Sequence, residues 1–174
     1  MDLYIVDGTY ELFRAHFGYP SRKSNEGKEV GALKGYINHL QSLRKNNNHL
    51  CVSFDSTVES FRNQLFTEYK SSNHIDPEIL QQFPLAEEVT ELLGITLLSM
   101  KEYEADDGIA SVCSLFENEF NKIIIGSLDK DLMQCVKKDK IIMYSTRYKN
   151  FTNENGVFEK FGVSPEQIPD FLAL

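Results

Sequence analysis

The chain has 174 residues, 41% of them hydrophobic and 25% charged, values that suit one folded domain with a sizeable core. No apolar run reaches the ~20 residues of a membrane-spanning helix, and the start Met1-Asp2-Leu3-Tyr4 lacks the basic segment and cleavage site of a signal peptide, so a cytoplasmic protein with no membrane partner is expected. The net charge of −8 argues against the basic surface usual in nucleic-acid binders, unless the acids gather on divalent cations.

The first strand is expected over Leu3 to Val6, followed by helices over 10–17 and 30–45 and a turn at Asn46-Asn47-Asn48. A second strand, Leu50 to Phe54, precedes a helix over 77–93 that Pro77 opens and Gly94 closes. Then come a strand over Ile95 to Leu98, a helix over 104–120, a strand over Lys122 to Ile125, a helix over 129–136 and a strand over Lys140 to Tyr144. Ser164-Pro165-Glu166-Gln167 combines an N-cap serine, a proline at the first helical position and a capping-box glutamine, and starts a helix running from Gln167 to Leu174. The alternation of strand and helix predicts a three-layer α/β fold, with a central, mostly parallel, twisted sheet and helices on both faces. The strands are nearly all apolar, as covering on both faces requires. Residues 1–174 read as a single domain. Cys51, Cys113 and Cys135 lie far apart in apolar runs, at a spacing that fits no zinc site, and are read as buried thiols.

In open parallel sheets, ligands bind outside the carboxyl ends of the strands. Asp7-Gly8-Thr9 follows the first strand, and Asp55-Ser56 follows the second. Glu104-Ala105-Asp106-Asp107 follows the third after a short loop, and Gly126-Ser127-Leu128 leads from the fourth to Asp129-Lys130-Asp131. An aspartate at a strand end is often a turn former, and acids in a helix's first turn complement the dipole. Four groups on one edge are different, because clustered carboxylates repel unless something neutralises them. Hard oxygen ligands in such number suit Mg2+ or Mn2+. Glu104 and Asp107, three residues apart on one helical face, are expected to converge on an ion, with Asp106 reaching a second ion or an outer water. Two ions about 3.5–4 Å apart hold a scissile phosphate, activate a water and stabilise the leaving oxygen. His16, His39, His49 and His74 are scattered, no Ser-His-Asp arrangement is suggested, and no glycine-rich nucleotide loop is present, so no nucleotide cofactor is expected.

The motifs, in order, are Ile5-Val6-Asp7-Gly8 with Leu12-Phe13-Arg14-Ala15, Val52-Ser53-Phe54-Asp55, Phe61-Arg62 with Glu68-Tyr69-Lys70, and Tyr103-Glu104-Ala105-Asp106-Asp107. Asp129-Lys130-Asp131-Leu132-Met133-Gln134 and the segment from Gly162 to Phe171 complete the set. On these residues, over nearly its whole length, the chain resembles the nuclease core of the bacterial 5′-3′ exonuclease family. That family includes the 5′-nuclease domain of DNA polymerase I and its phage and flap-endonuclease relatives. The resemblance implies a PIN-like, resolvase-like core that hydrolyses DNA phosphodiester bonds at or near 5′ ends or flaps, with RNA primers as a further substrate. It implies two metal ions held by Asp7, Asp55, Glu104, Asp106, Asp107, Asp129 and Asp131. It also implies catalytic roles for Asp7, Asp107 and Lys70, an arch near residues 69–83 under or through which a single strand passes, and a monomeric protein. Tyr69 and Lys70 match the foot of that arch, where an ammonium stabilises developing charge and an aromatic ring stacks on a base. Arg14 and Arg62 are further candidates for DNA contacts, with surface ion pairing as the competing reading.

Three departures from the family pattern stand out. Leu128 replaces a glycine before Asp129, which makes a left-handed turn costly there; Asn73 replaces a basic residue; and the sequence stops at Leu174, where the family continues into a further Asp-containing loop and a helix-hairpin-helix region. They favour an alternative reading, a catalytically impaired DNA-binding relative or a fragment lacking part of the second metal site. A haloacid-dehalogenase-type phosphatase is disfavoured, because Ile5 stands where its nucleophilic aspartate would be.

Overall fold

The computed structural model describes residues 1–47, 49–70 and 75–174. Strand β1 (Asp2–Asp7) leads straight into helix α1 (Gly8–Gly18), and α2 (Gly31–Asn46) returns the chain to β2 (His49–Asp55). The short helices α3 (Phe61–Leu65) and α4 (Pro77–Leu80) precede α5 (Phe83–Leu92) and β3 (Thr96–Met100). Helix α6 (Ala105–Phe116) crosses to β4 (Lys122–Gly126), and a 3-10 turn at Asp131–Cys135 leads to β5 (Ile141–Ser145). The chain ends through β6 (Asn150–Thr152), α7 (Glu154–Phe161), a 3-10 turn at Pro165–Gln167 and α8 (Ile168–Ala173).

The sheet order is β3-β2-β1-β4-β5-β6; every pairing is parallel except β5 with β6. Because side chains alternate along a strand, Tyr4 and Val6 face one layer and Leu3 and Ile5 the other. On the first side Leu12, Tyr36, Leu40 and Ala86 of α1, α2 and α5 pack with Val52 and Phe54. On the second, Ile109, Val112 and Cys113 of α6 pack with Ile123, Ile125, Val157 and Ile168. Each fully buried Leu, Ile or Phe contributes roughly 1.5–3 kcal/mol, so burial on both faces opposes the entropy cost of ordering the chain. The helices change side after β3, so the strand order reverses between β1 and β4. That is the switch point where α/β sheets open a crevice at their carboxyl edge.

Two glycines bring this edge together. A Cβ on Gly8 would lie 2.6 Å from the Phe54 ring, so α1 starts in contact with β2. A Cβ on Gly108 would lie 2.6 Å from Ser53 Oγ, so the first turn of α6 presses onto the same strand.

Several expected elements differ. The helix expected over 77–93 is two helices, because Pro84 cannot accept an α-helical turn below it and the break falls at Gln81 and Gln82. The buried Gln82 amide fills the break, accepting from Leu33 N at 2.9 Å and donating to the Glu78 carbonyl at 2.7 Å. The helix expected over 129–136 is the 3-10 turn, and α6 begins at Ala105 with Glu104 as its cap. Helices α3 and α7 and the antiparallel edge strand β6 were not expected. Gly94 does end α5 in a left-handed conformation, with φ of +68°.

Candidate active site

Asp7 is the last residue of β1 and the cap of α1. Its carboxylate accepts from Tyr10 N at 2.8 Å, satisfying an orphan amide of the helix start, and from Ser127 Oγ at 3.0 Å. Ser127 follows β4, is buried, and also accepts from Asp129 N at 3.1 Å. One hydroxyl therefore ties the end of β1 to the loop after β4, across the switch point. Asp129 in turn accepts from Asp131 N at 2.9 Å. Asp55, at the end of β2, accepts from Ala105 N at 2.6 Å, while its own N–H donates to Thr9 Oγ1 at 2.9 Å. The ends of three strands and the starts of two helices are thus joined through aspartates.

Beside them lies a second group held by cations. Arg62 donates two parallel bonds to Asp107, at 2.8 and 2.9 Å, and lies 3.7 Å from Glu104. Glu104 is buried and accepts from Ser60 Oγ at 2.8 Å and Lys70 Nζ at 2.9 Å, with the Tyr69 hydroxyl at 3.4 Å. Asp107 also accepts from Glu104 N at 2.9 Å, capping α6. The hydrogen bonds from Arg62 hold the Asp107 carboxyl below the usual carboxylate range. Burial works against the Lys70 ammonium, but Glu104 and Asp55 outweigh it and keep it charged beyond its ordinary range.

Asp106 is treated differently. Burial, reinforced by the negative fields of Asp7, Asp129 and Asp55, pushes its carboxyl up to about 8, with Lys70 opposing. Burial likewise raises Asp7 to about 7, against its two hydrogen bonds and with Asp55 and Asp129 adding to the rise. Asp7, Asp55, Asp106 and Asp129 therefore share one field with too little positive charge in it. Among the described residues, no three His, Cys, Asp or Glu side chains are gathered closely enough to hold one ion as they stand.

Residues 2–162 match the family model for the 5′-3′ exonuclease N-terminal resolvase-like domain. This chain belongs to the 5′-3′ exonuclease family. It is 37% identical over 175 residues to the 5′-3′ exonuclease of Aquifex aeolicus, covering 99% of this chain and 60% of the relative. It is 39% identical over 176 residues to DNA polymerase I of Pseudomonas aeruginosa, covering 99% of this chain and 19% of that one. The family member described here thus spans about 60% of the length of its exonuclease relatives. Among solved structures, a mutant T5 5′-exonuclease superposes with a TM-score of 0.75 at 22% identity, covering 99% of this chain and 62% of that one. A T5 flap endonuclease complex with DNA and metal ions gives 0.71 at 24% identity, covering 97% and 64%. These likenesses establish the fold, a PIN-like α/β core.

Within this exonuclease-family fold, the expected site residues separate into groups. Asp7, Asp55, Asp106 and Asp129 do meet in one field at the carboxyl edge. Glu104 and Asp107 also converge, but on the Arg62 guanidinium and the Lys70 ammonium, where an ion was expected. Asp131 is exposed, one residue into the 3-10 turn. Arg62, a candidate for DNA contact with ion pairing as the competing reading, pairs with Asp107. Arg14, the other such candidate, pairs with buried Glu11 at 2.6 Å. Tyr69 is 42% exposed beside Lys70, which suits a surface ring. Leu128 is outside the left-handed region, so the expected cost of a leucine there does not arise. Asn73, His74 and part of the expected arch lie outside the described residues. Sequence reasoning missed Ser127 and Ser60, which position Asp7 and Glu104. The only signals were Ser127 in a Gly-Ser step after an apolar strand and Ser60 as a helix cap.

Proposed function

We propose that this chain is a Mg2+- or Mn2+-dependent 5′ nuclease core, hydrolysing DNA at or near free 5′ ends and flaps. The observation that carries this reading is the gathering of buried Asp7 and half-buried Asp106 with Asp55 and Asp129 at one sheet edge, where the first two are raised to about 7 and about 8. Among the described residues no hydrogen bond to Asp106 offsets its rise, and its carboxylate would gain most from a hard divalent cation. The donor chemistry fits such ions: Asp7, Asp106 and Asp129 would hold one, with Asp55 and Asp131 shared with a second. When bound, divalent cations lower the pKa of a water and neutralise charge on a phosphoryl group. The chain's own residues do the rest. Lys70, kept charged by Glu104, would face a phosphate at the edge. Tyr69, half exposed next to it, would stack on an unpaired base. Ser127 and Ser60 would fix the carboxylates' orientation.

A second reading, a relative that binds branched DNA without cutting, is favoured by one observation. Arg62 and Lys70 are engaged by Asp107 and Glu104, leaving less free positive charge for substrate. Cleavage of a 5′-labelled flap duplex in Mn2+ separates the two, with Asp106→Asn as the comparison. The nuclease reading expects short labelled products that the substitution reduces by at least about 100-fold. Binding of the duplex without products, in both proteins, would establish the second reading.

A further inference from the structure

On the α1–α2 side of the sheet, a cleft of about 440 Å³ lies between α2 and the β5–β6 hairpin. Arg14, Asn38, His39, Ser42, Asn46 and Lys149 line it. Three of the surrounding side chains are fixed by one buried carboxylate, Glu11, which is 1% exposed. Glu11 accepts from Arg14 Nε at 2.7 Å and from Thr146 Oγ1 at 3.2 Å, and lies 3.6 Å from His39 Nε2. Arg14, His39 and Thr146 are therefore held in place before anything binds.

Lys149 is the informative residue. Its φ is +53°, in the left-handed region that costs an L-residue with a Cβ about 1–2 kcal/mol and that glycine or asparagine takes readily. The hairpin bond from Lys149 N to the Ser145 carbonyl, at 2.8 Å, fixes this geometry. Lys138 shares this backbone geometry, and what sets Lys149 apart is its place in the lining of the cleft. Among the described residues Lys149 makes no ion pair, and neighbouring Arg147 only covers the Tyr148 ring at 5.4 Å. With Arg14 offset by Glu11, Lys149 is the unpaired cation of the cleft lining among the described residues.

Strand register gives the position of the cleft relative to the acids. Ile5 pairs with Ile125 and Ile125 with Met143, so Ser145 is level with Asp7. The hairpin that follows Ser145 sits on the same edge as Asp7, two strands away, or about 10 Å. That distance is well under one turn of duplex, about 34 Å. We propose that this cleft holds a backbone phosphate of the nucleic acid, beside the acidic edge and distinct from it. Lys149 supplies the free charge, Arg14 supplies donors while paired with Glu11, and the Asn38, Ser42 and Asn46 side chains supply neutral donors. The proposal rests on the nuclease reading, because it needs a nucleic acid lying over the same edge.

Lys138 provides a matched control, since it too has positive φ, +49°, and lies before β5 at the opposite edge. Anisotropy of a labelled flap duplex, titrated with salt in EDTA so that binding is read without cleavage, compares four proteins. Lys149→Asn should bind about threefold to tenfold more weakly and lower the slope of log K against log salt by about 1. Lys149→Arg should restore both, and Lys138→Asn should leave both at the parent value. Equal affinity and slope for Lys149→Asn and Lys138→Asn would overturn the proposal while leaving the nuclease reading standing. Weaker binding of inorganic phosphate by Lys149→Asn, with DNA binding intact, would overturn it in favour of a small-anion site. No binding by the parent protein would sink both readings together.

Discussion

Tyr4 sits on β1 with its ring in the core and its hydroxyl buried without a hydrogen-bond partner among the described residues. Burial, with Glu11 and Tyr144 nearby, pushes its phenol above the ordinary range, so it stays neutral. Tyr4→Phe removes an unsatisfied polar atom and keeps the ring. Its thermal midpoint should equal or slightly exceed that of the parent, whereas a bonded hydroxyl would cost about 1–3 kcal/mol on removal. At this scale the sequence showed which residues are acids at strand ends. It did not show their partners, because Arg62 and Lys70 come from the segment after β2 and meet α6 only through the fold. The same is true of Arg14. Its pairing with Glu11 three residues earlier was available from helical spacing, but the burial of Glu11 that makes the pair obligatory depends on Thr146 and His39 from distant elements.

Among the elements, α6 carries the site and depends on close approach. Gly108 lies against Ser53, whose hydroxyl donates to the Ala105 carbonyl at 2.9 Å. Gly108→Ala would push the first turn of α6 away from β2 and disturb Asp55, Asp106 and Asp107 together. A loss of about 1–3 kcal/mol in denaturant unfolding is expected, with weaker metal binding as a consequence. An unchanged midpoint would mean that the contact relaxes at no cost. The five parallel strands were legible because apolar runs of that length, separated by helix-length segments, have few other packings. The break between α4 and α5 was also written in the sequence, in Pro84, but a continuous helix was read through it. Strand β6 was not legible. Its three residues, Asn150–Thr152, carry no alternation and pair only because the turn after β5 folds back on Tyr144.

For the whole molecule, the governing quantity is charge. A chain of net charge −8 that gathers aspartates at one edge pays a cost that varies with pH. Asp7 and Asp106 have folded values of about 7 and about 8, above the roughly 3.9 of an unfolded aspartate. The folded state therefore holds protons that the unfolded state has released. Their contribution is fully present below about pH 4 and is lost as pH rises through 8. In EDTA, the thermal midpoint should fall between pH 5 and pH 8, and Asp106→Asn should flatten the fall. A midpoint rising over that range in the parent would show that other groups dominate.

Calorimetric titration of Mn2+ into the parent protein, Asp106→Asn and Ser127→Ala at pH 8 decides whether the carboxylates at this edge form a divalent-cation site. Saturable binding by the parent is expected, with at least about tenfold weaker binding when Asp106 is neutralised. A loss of about 10–100-fold is expected when Ser127 no longer holds the Asp7 carboxylate and the Asp129 N–H. Equal affinity in all three proteins, or no binding by the parent, would contradict such a site.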